Sequence, residues 1–164
     1  MTGLNELVRR WEAVAAALER GAEDACSAAV RSWIEEWDRR FWDSDFSGFE
    51  RIYSADFVGR NRIGLIGPPA VHGPQGFAKL REDMSEAASR FWFDVREVRL
   101  GGGEAFAGIG RFKARGRYTG LVLQAPMAVL WRVRDGMLVE ATAYLNPRRA
   151  LRELEAVAAG VTRA

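Results

Sequence analysis

The feature that most limits the fold is a change of hydrophobic period at Phe91. Before it, apolar residues recur every three or four positions, as on one face of a helix. After it come four strand-like segments, "FWFDVREVRL", "EAFAGIGRFKARG", "LVLQAPMAVLWRVR" and "MLVEATAYL", split by turn signals at "GGGE", "RYTG" and "RDG". Turns this short leave no room for a crossover, so these strands are predicted to be antiparallel neighbours.

Upstream, Leu4, Leu7, Val8, Trp11, Val14, Ala15 and Leu18 form one helical stripe, which Gly21 ends. A second helix from Glu23 carries Val30, Trp33, Ile34, Trp37 and Phe41 on one stripe and gives out in "WDSDFSGF". A short helix over Phe46 to Tyr53 and an extended piece, "DFVGRNRIGLI", follow. Pro68-Pro69 then forces a loop, since neither residue can donate to a ladder. A helix is expected from Pro74 to Arg90, and a last one is opened by Asn146 and Pro147, which suit the cap and first helical positions. Helices first and an antiparallel sheet afterwards define an α+β domain. With no repeat and no linker, residues 1–164 are expected to form a single domain.

Composition narrows the function classes. The net charge is only +2, and 22 of the 24 basic residues are arginines spread along the chain. A nucleic-acid surface needs such residues gathered on one face, so no nucleic-acid partner is expected. No stretch approaches the roughly 18 uninterrupted apolar residues of a membrane span, and the N-terminus lacks the apolar run of a signal peptide. A cytoplasmic protein without membrane contact is the expectation. Cys26 is single, which excludes an intrachain disulfide, and its alanine-rich surroundings suggest a small buried side chain.

The order of elements resembles the nuclear-transport-factor-2-like superfamily, and within it the SnoaL-like branch. The resemblance covers roughly Val30 to Glu155, with residues 1–21 as an extra N-terminal helix. It rests on "SDFSGFERIYSADFV", "VHGPQGF" and "WRVRDGMLVEATAYL" in the right order and spacing. It implies a cone: a curved antiparallel sheet wrapped around the N-terminal helices, enclosing a pocket. It also implies frequent homodimers through the outer face of the sheet.

Fold likeness does not carry chemistry, so the family positions are followed one by one. The carboxylate base of ketosteroid isomerase falls on Asn61, and an amide cannot abstract a proton at neutral pH. That enzyme's tyrosine donor falls on Trp37, and its protonated acid falls near Val129. The carboxylate of limonene-epoxide hydrolase falls on Ala143, with Asn146 close by, and "GRFKARG" offers Arg111 and Lys113 without an acid. Family cyclases and dehydratases use His with Asp, and the only histidine here is His72.

The family carboxylates are therefore missing, and whether the chain is an enzyme stays open at this stage. His72 is the one candidate acid–base group, because its ordinary pKa suits proton transfer near neutrality. Trp37, Phe41, Asn61, Met127, Tyr144 and Asn146 are the candidate ligand contacts. Tyr144 and Ala143 must face opposite sides of the strand. A single histidine makes a metal site improbable, and no cofactor is expected. The expected function is binding of a small, largely apolar molecule by a homodimer. The alternatives are a cofactor-independent isomerase, a polyketide-cyclase-type or epoxide-hydrolase-type enzyme, or an interaction module with a filled pocket.

Overall fold

The computed structural model describes residues 5–63 and 70–160. Leu4 and the Pro68-Pro69 loop lie outside the described residues. Helix α1 spans Glu6–Glu19 and starts at Asn5, whose side chain accepts the Leu7 and Val8 N–H groups. Helix α2 spans Glu23–Trp42. A single 3-10 turn, Phe49–Arg51, leads into β1, Tyr53–Asn61, and β2, Ala70–His72. Helix α3, Gly76–Ser85, precedes the meander of β3, Ala88–Leu100, β4, Ala105–Gly116, β5, Val122–Arg134, and β6, Met137–Tyr144. Helix α4, Pro147–Ala158, ends the described chain. Asn146 caps it by accepting the Arg148 N–H at 3.0 Å, with Pro147 in its first turn, as the sequence signal required.

The six strands form one curved, open sheet in the order β2-β1-β6-β5-β4-β3. The meander is antiparallel as expected, but β1 runs parallel to β6, so the sheet is mixed. No hairpin joins these two strands. The whole meander separates them in sequence, and the rule that short turns impose did not apply. Two further expectations are corrected. The helix assigned to Phe46–Tyr53 shrinks to the turn at Phe49–Arg51, because Tyr53 is already paired with Leu138 of β6. The helix expected to reach Arg90 stops at Ser85, because Ala88 and Arg90 pair with Gly116 and Arg115 of β4. In both places strand pairing overrides local helical propensity.

The concave face of the sheet holds the main core. Trp11 of α1 stands 5.0 Å from the ring of Trp33 in α2, and Trp33 stands 5.7 Å from Trp131 in β5. The indole N–H of Trp11 donates to the Gly136 carbonyl at 2.9 Å, tying α1 to the β5–β6 turn. The glycines of β4 answer to close approach. A Cβ on Gly110 would lie 1.8 Å from the Asp94 carbonyl oxygen, at an irregularity in the β3–β4 register. One on Gly108 would meet the Trp131 ring at 2.9 Å. A second, smaller core lies on the outer face, where Ala150 and Leu154 of α4 pack on Ala105, Ala107, Ala128, Leu130 and Tyr144. Cys26 is fully buried, and burial pushes its thiol up to about 11.

Candidate functional site

Between α2, α3 and the concave sheet lies a cavity of about 200 Å³. Helical spacing turns four residues of α2 toward it: Trp33, Ile34, Trp37 and Asp38. Helix α3 contributes Phe77, Leu80 and Met84, and β1 contributes Tyr53, Phe57, Gly59, Arg60 and Asn61. The far wall comes from alternate residues of the meander: Phe91 and Phe93, then Phe112, then Met127, Val129 and Trp131, then Ala141 and Ala143. At the end of α2, the Trp42 indole N–H donates to the Phe91 carbonyl at 2.6 Å. Arg81 of α3 donates to the Trp42 carbonyl at 3.1 Å and covers the Trp42 ring. These contacts fix α2, α3 and β3 around the cavity.

The wall is aromatic and its own polar atoms are largely spent on one another. The Trp37 indole N–H donates to the Tyr53 hydroxyl at 2.9 Å, and the Trp37 ring stacks on Phe41 at 4.7 Å. Burial drives the Tyr53 hydroxyl far above its ordinary pKa, so it stays neutral. The Asn61 side-chain oxygen accepts the Ile63 N–H at 3.0 Å. Arg60 turns its guanidinium to Glu140 at 2.6 Å.

Asp38 is the exception. It is 8% exposed and lines the cavity. Desolvation raises its carboxyl to about 7, against the weaker pull of the Phe93 backbone N–H and the Arg90 charge. Its helical neighbour two positions earlier is also buried but behaves oppositely. Burial would raise Glu36, yet hydrogen bonds from Arg39 and Arg40, the latter at 2.9 Å, hold it below the ordinary carboxylate range. Glu36 is a paired structural charge, whereas Asp38 is a carboxyl poised between its two protonation states.

Of the residues singled out in the sequence, Trp37, Asn61 and Met127 line the cavity together. Phe41 does not; it is fully buried behind Trp37 and holds that ring in place. Tyr144 does not either, because strand alternation gives the lumen to Ala143 and turns Tyr144 onto the outer face, under Arg149. Asn146 lies outside the lining and caps α4. His72 is exposed at the end of β2, where Val71 takes the inward position. Asp38 went unnoticed because the family positions were followed instead of the helix. Its signal was present, a carboxylate one turn after Ile34 and one turn before Phe41, on an otherwise apolar stripe. Among the described residues, no group of three His, Cys, Asp or Glu side chains is placed to hold a metal ion.

The SnoaL-like domain family matches residues 30–141 of this chain. No curated protein matches the sequence. Among solved structures, the fold is similar to a proposed SnoaL-like polyketide cyclase from Jannaschia sp. CCS1, at 12% identity over 95% of this chain and 99% of that one, with a TM-score of 0.54. It is similar to an NTF2-like protein of unknown function from Burkholderia pseudomallei K96243, at 12% identity over 91% and 97% of the two chains, with a TM-score of 0.55. AclR, a proposed hydroxylase from Streptomyces galilaeus, is 21% identical over 74% and 88%, with a TM-score of 0.50. These likenesses concern the fold alone. With more than half of its length matched, and with a curved mixed sheet folded over its helices as in the NTF2-like structures it resembles, the chain belongs to the SnoaL-like domain family.

Proposed function

We propose that this protein binds a small, largely apolar molecule inside the cone. One observation carries the reading: a cavity of about 200 Å³, walled by aromatic and aliphatic side chains, offers a single carboxyl group, Asp38, to whatever enters. Apolar walls with few convergent polar groups are the usual make-up of a ligand site. A dry cavity of roughly 150 Å³ accommodates benzene, so this one suits a ligand of about ten heavy atoms, such as a substituted single ring or a monoterpenoid. A steroid exceeds that size.

Three tryptophans line the space, so binding has a built-in reporter. Titration with single-ring aromatics and monoterpenoids is expected to change the intrinsic fluorescence for at least one compound. Ala143 lies at the wall, and Ala143→Phe fills the lumen without burying a polar group. That variant is expected to fold and to lose the response. Equal binding by the filled variant places the ligand elsewhere, and a panel with no binder favours an interaction module.

A second reading, a cofactor-independent enzyme, is supported by the pKa of about 7 at Asp38. A carboxyl titrating near neutrality can take and return a proton within the pH range where the protein works. It would do so from α2, a position unrelated to the family carboxylates missing at Asn61 and Ala143. Turnover of any substrate by such a route is expected to vanish in Asp38→Asn. We also infer a homodimer that uses the β4–β5 hairpin, where Tyr118, Leu121 and Leu123 are exposed.

A further inference from the structure

We propose that the cavity selects a positively charged ligand, a lipophilic amine of about ten heavy atoms, held with its nitrogen against Asp38 and its carbons against the aromatic wall. The inference rests on the reading of the cavity as a ligand site and names the class of molecule it takes.

The first argument is charge. Two described residues of the lining carry a formal charge, Asp38 and Arg60. Arg60 is drawn to Glu140 at 2.6 Å, a carboxylate that Arg132 also approaches at 3.9 Å. Asp38 forms no ion pair with a described residue, and Arg90 of β3 acts on it only at longer range. From α3 the lining side chains are Phe77, Leu80 and Met84, which bring no charge to the wall. An ionised Asp38 is thus an unneutralised carboxylate in a mostly apolar space, and a cation entering that space supplies the missing partner.

The second argument is what a carboxylate does that an amide does not. A neutral alcohol or ketone could be hydrogen-bonded equally well by asparagine, with no desolvation cost at neutral pH. The acid gains an advantage over the amide when its partner is a cation.

The third argument is the wall. Nine of the twenty-two lining residues are aromatic, among them Trp37, Phe91, Phe93 and Phe112. Their ring faces carry negative potential, which favours an ammonium group and disfavours an anion. Of the indole donors in the wall, the Trp37 N–H is committed to Tyr53, and the Trp33 N–H, buried without an acceptor, is a neutral donor that carries no charge to hold an anion. The groups that attract a cation, the unpaired Asp38 carboxylate and the ring faces around it, therefore outweigh those that attract an anion.

The test compares phenethylamine, protonated throughout, with its neutral analogues 2-phenylethanol and ethylbenzene, by tryptophan fluorescence at about pH 6 and pH 8. At pH 8 the amine is expected to bind at least about tenfold more tightly than the alcohol. Between pH 6 and pH 8 its affinity is expected to rise several-fold, up to about tenfold, as Asp38 ionises, while that of the alcohol does not rise. Asp38→Asn, with its fold checked by circular dichroism, is expected to bring the amine down to the level of the alcohol. An alcohol that binds as tightly as the amine at pH 8, or an advantage for the amine that survives in Asp38→Asn, overturns the proposal. If ethylbenzene and the alcohol bind and the amine does not, the charge assignment fails while the ligand cavity stands. If none of the three binds, both fail.

Discussion

At Asp38 the protein places a carboxyl where ionisation is costly, and the cost can be measured as stability. Its folded pKa of about 7 lies above the ordinary carboxylate value of 3.8. The folded state therefore holds the proton more tightly than the unfolded chain does. Stability associated with this group is fully present at low pH and is lost as pH rises from about 4 through about 7. Replacement by the isosteric amide removes that loss. Asp38→Asn is expected to be close to neutral near pH 4 and to stabilise the protein by roughly 1 to 3 kcal/mol at pH 8, in urea denaturation. A variant that is less stable than the parent at pH 8 would show that the buried carboxylate is compensated in the folded state. His72, exposed at the end of β2, tolerates loss of its ring, and a change of His72→Ala within about 0.5 kcal/mol is expected in the same assay.

At the scale of the element, α1 is part of the core although it lies outside the matched family region of residues 30–141. Leu7, Val14 and Cys26 are fully buried along the α1–α2 contact, and Trp11 joins Trp33 and the β5–β6 turn. Trp11→Phe keeps most of the packing but leaves the Gly136 carbonyl without its indole donor. A loss of about 1 to 3 kcal/mol is expected, read from the urea midpoint at unchanged slope. A loss below about 0.5 kcal/mol would make α1 an appendage. The stripe that ends at Gly21 made this helix legible in the sequence, as alternation and short turns did for the meander. What was hidden depended on partners far along the chain. The parallel pairing of β1 with β6, the early stop of α3 and the shrinking of the Phe46–Tyr53 helix all follow from strand contacts that no local window contains. The site divided in the same way. Trp37 and Asn61 could be reached from family positions and Met127 from its place in the last strands, whereas Tyr144 and Asn146 required knowing which face of the last strand and which end of α4 they serve.

At the scale of the molecule, the remaining question is what covers the outside of the sheet. The family resemblance implies a second copy on the outer face of the sheet, and one crossing helix cannot cover both faces of the long apolar β5. Helix α4 now takes part of that task, packing Ala150 and Leu154 on β4, β5 and Tyr144. The apolar surface that stays bare is displaced to the hairpin, where Tyr118, Leu121 and Leu123 are 89%, 68% and 65% exposed. Three side chains make too small a patch for a stable dimer, which buries on the order of 1,000 Å² or more. A partner seated there must also cover the outer residues of β4, including Arg111 and Lys113. Such an interface combines an apolar centre with a charged rim, so it should weaken in salt less than a purely ionic contact would. Light scattering at micromolar concentration is expected to give about twice the chain mass of 18.3 kDa. The double variant Leu121→Glu with Leu123→Glu puts charge into the apolar centre of such an interface and is expected to return the single-chain mass. A parent protein that scatters as one chain rules out the dimer, and a double variant that stays at twice the mass moves the interface away from the hairpin.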